Sequence, residues 1–243
     1  MQEFFSGIGN SLYKFFIYQD RWQMVLEGVG ITIFIALLAT LLGTVLGFLF
    51  GIVRSTYDIQ LKGRKCSRPG DYVLKFLNII ANIYITVIRG TPVMVQIMIM
   101  FFVVFSTAQD GVFPAILTFG INSGAYVAEI MRSGIMSIDR GQFEASRSLG
   151  FDYKRTMVFI IFPQAIKNIL PALGNEFIVL LKETSVACAV SVQELTFTGN
   201  MIASVTYDMF TALIIVAAIY LILVLIISYL LKLLERRLRS SEH

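Results

Sequence analysis

The run from Met24 to Val53 is apolar almost throughout and, as a helix, would extend roughly 45 Å. That exceeds the ~30 Å hydrocarbon core of a bilayer, so the segment is expected to cross the membrane with tilt. It is also far longer than the apolar stretch of about 7–15 residues in a secretory signal. Four further apolar spans are expected at about 92–106, 112–135, 156–181 and 209–231. The chain therefore reads as an all-α integral membrane protein with five transmembrane helices. Composition agrees: 15% of its residues are charged and the mean hydropathy is +0.75, whereas soluble domains are about one quarter charged.

Residues 1–23 read as an interfacial N-terminal segment rich in rings, with Phe4, Phe5, Tyr13, Phe15, Phe16, Tyr18 and Trp22. Such rings collect where apolar and polar surroundings meet. The membrane domain then covers 24–235, and 236–243 form a cytoplasmic tail. Gly43, Gly47 and Gly51 recur every four residues, with Ala36, Ala39 and Thr40 on or near the same ridge; small residues so spaced let another helix approach closely in lipid. Residues 54–71 form a polar basic loop. The stretch Tyr72–Phe105 is too long for one simple span and is interrupted by Arg89-Gly90-Thr91-Pro92. Thr91 suits a helix N-cap and Pro92 a first helical turn. This places 72–88 at the interface and 92–106 in the bilayer. Arg89 reads either as an arginine snorkelling from a helix break or as a participant in transport.

Several chemistries are excluded by inventory. The one histidine, His243, is the last residue, which removes histidine catalysis and His/Cys zinc sites. No Walker A pattern is present, and no internal repeat is visible. Cys66 and Cys188 are expected on opposite sides of the membrane, where they cannot pair. The formal net charge is +4, and its distribution points to a membrane and not to nucleic acid. With five spans, 17 of the 20 Lys and Arg fall on one side, leaving Lys14, Arg21 and Lys182 on the other. Positive loops stay cytoplasmic, so the N-terminus is expected outside, and the 139–155 loop and the C-terminus inside.

That loop has its own local grammar. Asp139 followed by Gln142 resembles a capping box, so a helix is expected to start near Arg140 and to end at Gly150, which takes a left-handed cap cheaply. A helix of about ten polar residues cannot span a bilayer. It carries Glu144 and Arg147 beside Ala145, Ser146 and Ser148, which suits close docking on another protein; an ordinary amphipathic connection is the alternative. Asp152 can cap a second helix, apolar by Met157, in which Pro163 and Pro171 are expected to introduce kinks.

Ionisable groups inside spans are expensive and usually face a cavity or a partner. In the third span Asn122, Ser123, Tyr126, Glu129 and Arg132 lie close together, and Asn122, Tyr126 and Glu129 share a helical face. Glu129 and Arg132 could instead pair with each other at the cytoplasmic end. Asn175-Glu176 comes soon after Pro171 in the fourth span, and Lys182-Glu183-Thr184-Ser185 follows that span. The mixed stretch 185–200, with Gln193 and Glu194, reads as a partly inserted helix or a hairpin over the outer mouth.

Glu144-Ala145-Ser146, then Gly150, Ile160 and Pro163, resemble the EAA loop of ABC-importer permeases. The ideal loop has E-A-A, three residues, G, nine residues and I-x-L-P; here Ser146 replaces the second alanine and Phe162 the leucine. Arg89–Pro92 with Gln96, the run Tyr126–Ile130 and Lys182–Ser185 resemble the polar amino-acid uptake branch, and the matching pieces extend from about 28 to 235. Glu183 stands where that branch often has Asp. The resemblance implies a type I ABC importer permease of MetI-like fold in the bacterial cytoplasmic membrane, with the EAA loop as coupling helix. It implies as partners a dimer of ATPase subunits, a second permease subunit (identical or homologous), an extracytoplasmic amino-acid-binding protein and an amino-acid substrate. ATP and Mg would sit on the ATPase, with no cofactor on this chain. Glu144, Ala145 and Gly150 would carry coupling, while Tyr126, Glu129, Asn175, Glu176, Thr184 and Ser185 would line the substrate path. A self-sufficient carrier would be expected to show repeat symmetry and its own coupling-ion site. A membrane enzyme could use Glu129 and Glu176 as a carboxylate pair, but no nucleophile–base set accompanies them.

Overall fold

The computed structural model describes residues 13–240, and side chains up to Arg237; Phe4, Phe5 and His243 lie outside the described residues. Regular structure among these residues is helical: α1 (Arg21–Gln60), α2 (Pro69–Gly90), α3 (Val93–Ile99), α4 (Val112–Met136), α5 (Arg140–Ser148), α6 (Tyr153–Thr156), α7 (Phe162–Glu183), α8 (Leu195–Thr206) and α9 (Met209–Ser240). Wider or tighter turns extend several of these, such as Met100–Val104 after α3 and Met157–Ile161 before α7. Among the described residues, four continuous helical stretches are long and apolar enough to cross a membrane: Tyr13–Gln60, Pro69–Gly90, Tyr153–Val190 and Met209–Arg237. Helix α4 is comparably long, at 25 residues, but carries Glu129 and Arg132.

Two boundaries differ from the sequence reading. Helix α1 runs on to Gln60, through residues expected in the basic loop, because Arg54 and Asp58 find partners on α4. Helix α2, expected at the interface over 72–88, is itself long and apolar enough to cross, whereas Val93–Val104, expected within the 92–106 span, is a shorter apolar helix. Asp71 supports its start by accepting the N–H groups of Ser67 and Arg68, at 2.8 and 3.0 Å, with Pro69 at the first turn.

The chain divides into two compact units. One comprises Met1–Ala39, Val93–Phe119 and Ile178–Ser228. Its core has one cluster around Ile35, Ile97, Phe119, Leu180 and Val190, and a second around Phe15, Val25, Leu195, Ile202 and Val216. Of the helix and the hairpin expected over 185–200, the stretch is helical: it forms a tight helical turn, Thr184–Val190, then turns at left-handed Ser191 into α8. Buried Glu194 caps α8, accepting the N–H groups of Thr196 and Phe197 at 2.8 Å each and the Tyr220 hydroxyl at 2.8 Å. Those bonds satisfy donors that a helix start leaves open.

The other unit comprises Thr40–Pro92, Gly120–Phe177 and Tyr229–His243. Here the glycine ridge of α1 meets α4. A methyl group built on Gly43 would lie 2.9 Å from the Ser123 Cβ, and one on Gly47 would collide with Val127. From the opposite side, Gly120 and Gly124 of α4 accept Leu42 and Leu46. Close backbone approach is what such small-residue seams provide in lipid. Below the seam, Val127, Met131, Ile135, Ile161, Ala165 and Ile169 form a shared core of α4 and the 157–169 stretch. Gly47→Leu is therefore expected to destabilise the protein by about 1–3 kcal/mol through overpacking, read as an earlier thermal transition in detergent. Gly30→Ala, with nothing within 4 Å of the new methyl, should be neutral or stabilising. Equal behaviour of the two variants would contradict the seam.

Candidate functional site

Helix α5 is built from its caps inward. The Asp139 carboxylate accepts the Gly141 N–H at 2.7 Å. Gln142 turns its carboxamide oxygen toward Gln164 Nε2, at 3.5 Å, in place of the expected reciprocal cap bond. At the other end Gly150 takes φ +83; its N–H donates to Arg147 O at 3.0 Å, and the Phe151 N–H to Ser146 O at 3.1 Å. That pair of bonds is the Schellman arrangement, and it closes carbonyls the helix end would leave open. Asp152 then starts α6 by accepting the Arg155 N–H at 2.7 Å.

Ser146, the residue that departs from the E-A-A pattern, is buried. Its hydroxyl donates to Phe143 O at 2.9 Å and lies 3.1 Å from the hydroxyl of buried Thr156. The serine thus fastens α5 to the start of the next helix, where an alanine would leave the Thr156 hydroxyl without this partner. Tyr153 adds a tie to α1, its hydroxyl donating to Thr56 at 3.2 Å. With its inner side so held, α5 presents Glu144, Ala145 and Arg147 to solvent, together with Leu149, which is 77% exposed. Leu149 is a feature the sequence reading missed; its signal was a large apolar residue at the cap of an otherwise polar helix.

A second constellation runs along α4. Near its middle, the Ser123 hydroxyl donates to Glu176 Oε1 at 3.0 Å. One turn on, the Arg89 guanidinium lies over the Tyr126 ring, 4.9 Å from its centroid. A further turn on, Glu129 meets Arg132 at 3.0 Å and Arg54 at 3.5 Å. Arg132 also pairs with Asp58 at 3.1 Å, with Lys62 3.9 Å from the same aspartate, and Arg54 donates to Asn82. Of the two readings for Glu129, pairing with Arg132 is the geometry found, extended by Arg54. The four side chains Arg54, Asp58, Glu129 and Arg132 are only 9–28% exposed, a setting in which removing one partner leaves an uncompensated charge.

Tyr126, Glu129 and Glu176 thus meet on or beside one helix, and Asn175 is exposed next to Glu176. Thr184 and Ser185 belong to the first unit. Thr184 is buried and donates to Leu181 O, while Ser185 donates to Lys182 O, both at 2.8 Å. Their hydroxyls close their own helix end. Arg54, Asp58 and Asn82 were absent from the sequence-level candidates, because their partners stand 28 to 75 residues away. Among the described residues, no group of His, Cys, Asp and Glu is placed to hold a metal ion.

Residues 71–240 match the family model described as binding-protein-dependent transport system inner membrane component. The chain is 35% identical over 221 residues to the arginine transport system permease protein ArtQ of Bacillus subtilis (strain 168), covering 90% of this chain and 94% of that one. It is 35% identical over 220 residues to the glutamine transport system permease protein GlnP of Escherichia coli (strain K12), covering 89% and 93%. Among solved structures, the crystal structure of an amino acid ABC transporter with histidines matches at a TM-score of 0.77 and 39% identity, over 88% of this chain and 94% of that one. An inward-facing MetNI methionine ABC transporter matches at 0.71 and 20% identity, over 89% and 97%, a likeness of fold.

Proposed function

Since the chain belongs to the family of binding-protein-dependent transport system inner membrane components, we propose that it is the permease subunit of an ATP-driven importer for a polar or basic amino acid. The observation that carries the reading is the outward face of α5: a short helix capped at both ends, fastened from inside by Ser146, and offering Glu144 and Ala145 to a partner. The relatives named for arginine and glutamine transport and the transporter solved with histidines support the substrate class. In this reading α5 sits in a cleft of an ATPase subunit, where Glu144 meets a basic side chain, Ala145 permits close contact and Gly150 sets the exit of the chain. Two permease subunits, identical or homologous, stand on an ATPase dimer that holds ATP and Mg. A soluble binding protein delivers the amino acid from outside. ATP-driven closure moves α5, and the helices fastened to it, between inward- and outward-open arrangements.

The test is reconstitution in proteoliposomes with the cognate ATPase and binding protein, against a panel of labelled amino acids. ATP-dependent uptake of at least one polar or basic amino acid is expected. Uptake that persists without the ATPase would mean a self-sufficient carrier and would overturn the reading.

The orientation is proposed from charge: N-terminus outside, and the 61–68 connection, α5 and the C-terminal tail in the cytoplasm. In a Cys188→Ser background and sealed right-side-out vesicles, Cys66 should resist a membrane-impermeant thiol reagent until the membrane is opened. Rapid labelling from outside would reverse the topology and remove α5 from the reach of any cytoplasmic ATPase.

A further inference from the structure

Three arginines lie on or against α4 in the second unit, and one differs from the others. Arg54 and Arg132 are ion-paired to carboxylates. Arg89, in the last turn of α2, makes no direct ion pair among the described residues: it lies over the face of Tyr126, 4.9 Å from the ring centroid, and the already paired Glu129 acts on it only at longer range. The arginine is exposed, and Tyr126 is 37% exposed. Counted from Val112, Tyr126 stands roughly 20 Å along α4, whose full length is about 37 Å. The stack therefore lies well away from either end of that helix. A cation so placed is costly unless something pairs with it.

A cation–π contact uses the charge of a guanidinium without hydrogen-bonding its N–H donors. Those donors form the planar fork that fits a carboxylate with two parallel hydrogen bonds. One turn back along α4, about 5 Å, Ser123 holds the Glu176 carboxylate at 3.0 Å. A cation and an anion thus flank neighbouring turns of one helix, and an α-amino acid carries both opposite charges on a single carbon.

We propose that Arg89, set over the Tyr126 ring, receives the α-carboxylate of the substrate and so determines specificity for a free amino acid over its neutral-ended analogues. The inference rests on the amino-acid importer reading above, and Glu176 is the matching group for the ammonium. A phospholipid headgroup offers the same anion chemistry to an arginine, so the test separates the two sources.

The permease–ATPase complex, without the binding protein and its own selectivity, is titrated by equilibrium dialysis with arginine, glutamine and the α-carboxamide of each. The parent should prefer an amino acid to its α-carboxamide by about tenfold or more, since a site built for a charged hydrogen-bonding group rejects an analogue lacking it. Arg89→Gln should lose about tenfold or more on the acid and less than about twofold on the carboxamide, so that the preference disappears. Unchanged carboxamide binding also reports that the variant is folded. Arg89→Lys should recover only part of the preference, having charge without the fork. An intact preference in Arg89→Gln, or equal loss on both probes, overturns the inference. So does unaltered amino-acid binding with lost thermal stabilisation by phosphatidylglycerol, which would make Arg89 a lipid anchor. If the parent complex binds none of the four probes and the reconstituted importer takes up no amino acid, the importer reading itself has failed. Normal uptake with no Arg89-dependent preference removes the Arg89 assignment alone.

Discussion

Glu144→Arg is expected to leave the protein inserted and folded but to abolish ATP-driven uptake. The side chain is exposed on α5, and none of the ion pairs among the described residues uses it, so the fold has little to lose. In the ATPase cleft the proposed partner is basic, and reversing the charge there replaces attraction by repulsion. Loss of one member of a buried interfacial charge pair costs about 2–5 kcal/mol, which at about 1.4 kcal/mol per decade lowers occupancy of the coupled state at least ~25-fold. The measurement is uptake and ATP hydrolysis in proteoliposomes at matched expression. Hydrolysis that no longer responds to substrate-loaded binding protein, with uptake lost, is the expected pair of results. Normal uptake would make α5 a plain connection between helices. Ser146→Arg is the contrasting change: its site is buried against Thr156, so that variant should fail by misfolding, with reduced yield.

The difference between those two positions marks what could be read from the chain alone. Local signals were legible: Asp139, Gly150 and Asp152 act through bonds to residues two to five positions away, and short-range spacing in sequence is enough to find them. The glycine ridge on α1 was legible for a related reason, because a four-residue repeat of missing side chains places all the gaps on one helical face. Its partner was not, since nothing in Gly43, Gly47 and Gly51 points to Ser123, Val127 and Met131. The polar cluster was hardest. Arg54 and Asp58 looked like the start of a soluble loop, and only the proximity of α4 turns them into a half-buried extension of α1. Thr184 shows the opposite case: its residue type suits a polar lining, and at a helix end its hydroxyl also donates to Leu181 O. Type and spacing thus identify groups able to do chemistry, whereas long-range packing decides which remain available for it.

Glu176→Gln tests that availability at the carboxylate proposed for the substrate's ammonium. Glu176 is half-buried on α7 and accepts a hydrogen bond from Ser123 at 3.0 Å. Two roles fit this geometry: an anchor for the Ser123 hydroxyl, or an anion for a cation that arrives during transport. Glutamine keeps the size and an acceptor oxygen, so it preserves the first role and removes the second. Ser123→Ala does the reverse, because it deletes the donor, leaves the charge, and fits beside Gly43 without new atoms. If Glu176 reads the ammonium, Glu176→Gln should lower uptake by about tenfold or more at unchanged expression, the scale on which hydrogen bonds to charged groups contribute. The loss should be largest for a basic substrate, and Ser123→Ala should stay within about threefold of the parent. Should Ser123→Ala cripple uptake while Glu176→Gln transports normally, the carboxylate is a strut for α4, and the ammonium must be read elsewhere.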